Sequence, residues 1–169
     1  MPSTPRSPTE DLTEYGQAPP MCAQFSVFLE NRVGRLYDLL ATFEQHPLHV
    51  VAFSVLEASD HAVVRLIVSK PDQARKILKN EKLSFSETEL LIVELGPGQH
   101  VSDMCRVLLA AELNIFYAYS LMLRAHGSAT VGVRCDDQIL AGQLLTRRGF
   151  KLVDEEELGR SGGEDQSHA

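Results

Sequence analysis

Two short loops carry the residue types best suited to chemistry in this chain. The first is Asn31-Arg32-Val33-Gly34-Arg35-Leu36, between an apolar run and a helical one. The second is Gly96-Pro97-Gly98-Gln99-His100, in the same position relative to its neighbours. The first amides of a helix have no intrahelical partner, and the helix dipole makes that end electropositive. A carboxylate or phosphate oxygen is therefore favoured there. Gly34 and Gly98 remove a side chain and let a ligand approach the backbone. Asn31 can cap the helix or bind a polar group. Arg32 and Arg35 add positive charge, and His100 adds an imidazole. Turn geometry alone also accounts for a glycine between a strand and a helix, and a duplicated fold duplicates its turns.

Other candidates are weaker. His46-Pro47-Leu48-His49 has HxxH spacing, but no further ligand lies near it in sequence, so these read as surface histidines. Asp136-Asp137 reads as a helix cap. The run Asp154–Glu157 reads as a solvated charge run leading into a tail. Tyr117 and Tyr119 alternate along one strand and share a face, which suits sheet packing. The three cysteines, Cys22, Cys105 and Cys135, form no CxxC pair and argue against a disulfide framework, and Cys105 reads as core. No nucleophile elbow, Walker loop or dinucleotide fingerprint is present, so the chain is read as not an enzyme and as needing no cofactor or metal.

The elements that must position the loops follow from periodicity. Gln24–Leu29 reads as a strand, Arg35–Gln45 as a helix with Leu36, Leu39, Leu40 and Phe43 inward, and Val50–Glu57 and Ala62–Ser69 as a hairpin. Asp72–Lys79 is a helix with Ala74, Ile77 and Leu78 inward, and Ser84–Thr88 a short edge strand. This order is βαββαβ. It then recurs: strand Leu90–Leu95, helix Val101–Leu113 with Met104, Cys105, Leu108 and Leu109 inward, strands Ile115–Leu123 and Ala129–Cys135, helix Asp137–Arg148 closed by Gly149, and strand Phe150–Val153. Asp72 and Asp137 stand 65 residues apart, as do Phe85 and Phe150, while Gly34 and Gly98 stand 64 apart. A fixed period over a whole order of elements marks an internal repeat. Each copy is close to the size at which a lone core is marginal, so the copies are expected to touch. Residues 1–20 and 159–169 are polar and are read as disordered tails, leaving units at 21–88 and 89–158.

The loops and their order resemble the ACT domain, a ligand-binding regulatory module with a βαββαβ fold. The family pattern runs acidic residue, variable or basic residue, Pro, Gly, any residue, Leu, then an apolar helix and an Asn-Ile start to the second strand. The first copy keeps Gly34 and Leu36, with Asn31 in place of the acid and Val33 in place of the proline. The second keeps Pro97-Gly98, with Gln99-His100 in place of any residue and Leu, and opens its second strand with Asn114-Ile115; the first copy has His49-Val50 there. The closing run Gly149–Leu158 is similar to the end of tandem ACT proteins.

The resemblance implies an α+β fold of two ferredoxin-like ACT units side by side, antiparallel sheets with helices on one face. It implies a small amino acid bound between units, against the glycine loop of one and the second strand of a neighbour. The candidate contacts are Asn31, Arg32, Val33, Gly34, Arg35, Leu36, Pro97, Gly98, Gln99, His100, Asn114 and Ile115. A homodimer is expected. The alternative is the regulatory subunit of an amino-acid biosynthetic enzyme such as acetolactate synthase, with a catalytic partner chain. The formal net charge of -7 argues against nucleic acid, no apolar stretch is long enough to span a membrane, and the polar N-terminus gives a cytoplasmic default.

Overall fold

A computed structural model describes residues 17–164. Its elements are β1 (Cys22–Glu30), α1 (Arg35–Glu44), β2 (Val50–Ala58), β3 (His61–Val68), α2 (Pro71–Asn80), β4 (Ser84–Leu95), α3 (Val101–Ala110), β5 (Ile115–Ser120), β6 (Ala129–Cys135), α4 (Gln138–Arg147), β7 (Lys151–Leu152) and α5 (Glu155–Glu164). The strands form one seven-stranded antiparallel sheet in the order β2-β3-β1-β4-β6-β5, with β7 also on β4.

The βαββαβ order holds in both copies, with one revision at their junction. The short edge strand at Ser84–Thr88 and the strand at Leu90–Leu95 are one continuous strand, β4, of 12 residues. Its first half pairs with β1, from Ser84 opposite Phe28 to Leu90 opposite Cys22. Its second half pairs with β6 and β7. β4 is therefore the last strand of the first copy and the first strand of the second. It lies in the middle of the sheet rather than at an edge.

Alternation along β4 sorts three cores. Phe85 packs against the first-copy core of Phe25, Val27, Leu39, Phe43, Leu66 and Leu78. Leu91 and Val93 point the same way, into the second-copy core of Met104, Leu108, Val133, Ala141 and Leu145. Helices α1 to α4 thus share one face. Leu90 and Ile92 point to the other face, where Cys22, Val51, Ala52, Ile67, Leu121, Leu123, Val153 and Leu158 form a third core drawn from both copies. The sheet curls over that core. Met122 N–H donates to Val51 O at 2.9 Å, so the segment after β5 meets the start of β2.

The inward helix positions are as anticipated for α2, where Ala74, Ile77 and Leu78 are buried. On α3, Leu109 is instead 74% exposed: Met104 and Leu108 take the core, and Leu109, about 100° further round the helix from Leu108, falls outside it. The second strand of copy two ends at Ser120; Leu121 N–H still donates to Thr130 O at 3.0 Å, while Met122 N–H turns to Val51 O and the Leu121 and Leu123 side chains enter the third core. Asp137 caps α4, accepting from Leu140 N–H at 2.9 Å.

Part of each expected tail, residues 17–20 and 159–164, lies among the described residues. Pro19 lies against Gly142 of α4, a position with no room for a Cβ. At the other end the chain runs helical from Glu155 to Glu164. Asp154 caps α5 by accepting from Glu157 N–H at 2.8 Å, Glu155 accepts from Ala23 N–H at 2.8 Å, and Glu157 pairs with Lys151 at 2.9 Å. The acidic run is thus part of the fold: three of its carboxylates hold α5 in place, and Leu158 is buried beneath it. Residues 1–16 and 165–169 lie outside the described residues.

One ion pair ties α2 to β4. Arg75 binds Glu87 through two nitrogens, the Nε contact at 2.9 Å, and binds Asp72 at 2.7 Å. The hydrogen bond from Arg75 holds the Glu87 carboxyl below its ordinary value. A carboxyl with a lowered folded-state value stabilises above its unfolded value, and that contribution is lost as pH falls through the folded one. Glu87→Gln is therefore expected to flatten the acid limb of a stability–pH curve below about pH 4.5, relative to the parent. Denaturant midpoints taken between pH 2 and 7 test this; parallel curves would count against it.

Candidate functional site

The first glycine loop leaves the N-terminus of α1 open. Gly34 is its cap residue, with φ +92°, and no side chain caps the helix. A backbone in this region disfavours any residue with a Cβ. The space where a Cβ would stand is empty to 4 Å. Asn31 does not cap the helix as anticipated. Its amide donates to Glu57 Oε1 at 3.2 Å, and its N–H donates to Asp60 O, which ties the loop to the β2–β3 hairpin. Arg32 pairs with Glu30 at 2.9 Å, and Val33 is fully exposed. Arg35 is half-buried and its Nε is a buried donor with no hydrogen-bond partner among the described residues. Leu36 packs against the first-copy core.

The second loop is more self-satisfied. Gly98 also has positive φ, +75°, with open space around it. Gln99, however, uses its amide at both ends: Oε1 accepts from Gly96 N–H at 2.9 Å, and Nε2 donates to Gly149 O at 3.0 Å. Asp103 accepts from His100 N–H at 3.0 Å. A carboxylate thus already sits at the start of α3, where an anionic ligand group would have to compete. Pro97 shapes the turn and is exposed.

Asn114 and Ile115 open β5. Asn114 N–H donates to Asp136, and both residues line a shallow cleft of about 540 Å³ with Cys105, Leu109 and Leu113 of their own copy. The equivalent start of β2 does meet the other copy. His49, Val50 and Val51 line a cleft of about 760 Å³ with Phe43 and Leu48 on one side and Met122, Leu123 and Ser161 on the other. His46 and His49 border this cleft, and no group of three metal-ligating side chains occurs among the described residues. Its far wall is the segment after β5 and α5 rather than a glycine loop. Among the described hydrogen bonds and ion pairs, none joins either glycine loop to the second strand of the other copy.

A polar cluster that periodicity did not single out lies on the face away from α1 to α4. Gln24 is fully buried; its Nε2 donates to the Tyr117 hydroxyl at 2.9 Å, and its Oε1 accepts from Tyr119 at 2.7 Å. The Arg65 guanidinium stacks 3.8 Å from the Tyr117 ring centre. Burial pushes the Tyr119 hydroxyl above its ordinary value. The shared face of Tyr117 and Tyr119 was legible; their partners, more than ninety positions away for Gln24, were not.

Residues 21–161 match the family model of the ACT domain pair. The chain is similar to the solved structure of protein BT0572 from Bacteroides thetaiotaomicron, with 26% identity, TM-score 0.73, and coverage of 84% of this chain and 98% of that one. It shares a fold with the ligand-free regulatory subunit of aspartate kinase from Thermus thermophilus, at 10% identity and TM-score 0.52, over 78% of this chain and 94% of that one. No curated protein matches. No helix among the described residues is long and apolar enough to cross a membrane. With the repeat, the shared strand and the family match over nearly all of the described chain, this protein belongs to the ACT domain pair family of regulatory modules.

Proposed function

We propose that this protein is a non-catalytic regulator that binds a small amino acid between ACT units, at the loop Asn31–Leu36, with the second unit contributed by another copy of the chain. The observation that carries this reading is the open N-terminus of α1. Its first turn, without a side-chain cap, and the bare backbone at Gly34 stand at one exposed place and suit a carboxylate, with half-buried Arg35 adding positive charge beside them. The start of β2 is already covered by its own chain, whereas Asn114-Ile115 is not, so a second copy supplies the neighbouring second strand. Exposed Phe53 and Val55 on β2 and Phe116 on β5 provide apolar surface for that association. The loop Gly96–His100 is the weaker half of the pair, since Gln99 and Asp103 already occupy its donors. Ligand binding then acts by differential affinity, stabilising one arrangement of units over another.

A thermal-shift series with the twenty amino acids at millimolar concentration tests this. At a hundredfold excess over Kd, a ligand adds about 2.7 kcal/mol, which is readily seen. Gly34→Val fills the loop and forces a β-branched residue to positive φ, at roughly 1–2 kcal/mol of stability. It is expected to abolish the shift, whereas Gly98→Val leaves it. No shift with any amino acid contradicts the ligand reading, and a shift that survives Gly34→Val moves the site elsewhere.

A further inference from the structure

The face of the first copy opposite α1 and α2 carries a cation that no carboxylate of the described residues pairs. Strand register places Ser54 of β2, Arg65 of β3 and Ser26 of β1 side by side, because Arg65 stands opposite both serines in antiparallel ladders. Directly opposed residues project to the same face. Arg65 is half-buried and enters none of the described ion pairs; its contact is the Tyr117 ring, 3.8 Å away. Stacking fixes the plane of a guanidinium and leaves its edge to bind in that plane, which is the geometry of bidentate carboxylate recognition. The Tyr117 ring is itself held, because its hydroxyl accepts from buried Gln24. The fork is thus preorganised rather than free to swing.

The next row outward on the same face is apolar. Val63 stands opposite Leu56 on one side and Phe28 on the other. Leu56 is 50% exposed and Phe28 43% exposed. The one carboxylate in the row beyond, Glu30, is paired with Arg32. The face therefore presents a fixed cation flanked by hydroxyls, then an apolar step, and among the described residues no unpaired acid stands in these rows to receive an ammonium.

We propose that this face is a second binding site, separate from the glycine loops, for a small organic carboxylate with an unbranched or branched apolar body and no amino group. The carboxylate lies on Arg65 between Ser26 and Ser54, and the body covers Phe28, Leu56 and Val63. Charge complementarity to Arg65 selects the acid over its neutral or cationic analogues.

Hexanoate is a suitable probe, followed by amide chemical shifts of the full-length protein, with hexan-1-ol and hexylamine for comparison. Saturable shifts centred on Ser26, Ser54 and Arg65 are expected with hexanoate and not with the other two. Arg65→Gln should weaken hexanoate at least tenfold. Ser54→Glu places a carboxylate beside Arg65 as an internal competitor and should abolish binding while circular dichroism shows an unchanged fold, so the test survives any instability of the arginine variant. Equal binding of hexanol, hexanoate shifts confined to Asn31–Leu36, or full binding by Ser54→Glu would each overturn the proposal. So would sedimentation showing a dimer that Ser54→Glu dissociates, because the face would then belong to a second copy of the chain.

Discussion

Leu90→Ala is expected to lower the unfolding free energy by about 2–5 kcal/mol and to weaken both copies in a single transition. Leu90 is fully buried in the core that the two copies share. Truncating it removes contacts and leaves a cavity that close-packed neighbours only partly fill. Gly132 on β6, whose ladder partner is Ile92, cannot compensate by side-chain movement: a Cβ there would stand 2.9 Å from the Leu90 side chain, so the site is built around that leucine. The cooperative part of the prediction comes from β4. Unfolding the first copy strips β1 from Ser84–Leu90, and unfolding the second strips β6 from Leu91–Leu95, yet these are halves of one strand. Urea unfolding followed by far-ultraviolet dichroism, with hydrogen exchange read separately on β3 and β6, checks it. A two-step transition, or a loss below about 1 kcal/mol, would show that the copies are energetically separate.

Leu158→Ala is the second large effect, expected at about 3 kcal/mol, with a chemical signature of its own. Leu158 is 1% exposed and is the side chain by which α5 enters the shared core. The helix has little intrinsic stability: its sequence contains Gly159, Gly162 and Gly163, each unfavourable in a helix interior. It is held by Leu158, by the Asp154 cap and by the bonds from Glu155 and Glu157. Cys22 lies beside these groups, its thiol donating to Val153 O at 3.4 Å. Burial first, and then the nearby carboxylates of Glu155, Asp154 and Glu157, push that thiol well above its ordinary range. A buried, protonated thiol is inert. Loosening α5 should therefore make Cys22 label with a thiol reagent under native conditions, read by peptide mass spectrometry against half-buried Cys105 as the internal reference. Cys22 protection equal to that of the parent protein would sink the idea that α5 seals the core.

Local pattern was enough for most of the architecture. The strand at Ala129–Cys135 was bounded correctly to the residue, and the helix signals at Arg35, Asp72 and Asp137 located α1, α2 and α4 within one or two positions. These elements carry their instructions in their own periodicity: 3.6 residues for a helix stripe and two for a strand face. The repeat was equally plain, because a duplicated order of elements is a property of the chain itself.

The glycine loops were legible as positions but not in their relative condition. Pro97-Gly98 and Asn114-Ile115 made the second loop the better match to the family pattern. The structure shows Gln99 and Asp103 already using its donors, while the first loop stays open. Whether a side chain turns back on its own loop depends on what packs nearby, here the carbonyl of Gly149, 50 residues away.

Local spacing alone sets the alternation of elements, the two copies, most of the helix faces and the two glycine turns. How the copies join is set instead by contacts between distant segments. Glu87 and Glu89, polar residues in mid-strand, gave no sign of a strand running through the boundary; β1 carries the ladder as far as Leu90, opposite Cys22, and β6 takes it up from Leu91. A glycine-bearing acidic run became a helix because one leucine finds a core there. Arg65 and Tyr117, 52 residues apart, meet because the sheet curls until Met122 bonds Val51. Those contacts depend on sheet curvature and on burial summed over both copies, and neither quantity is carried by any short stretch of chain.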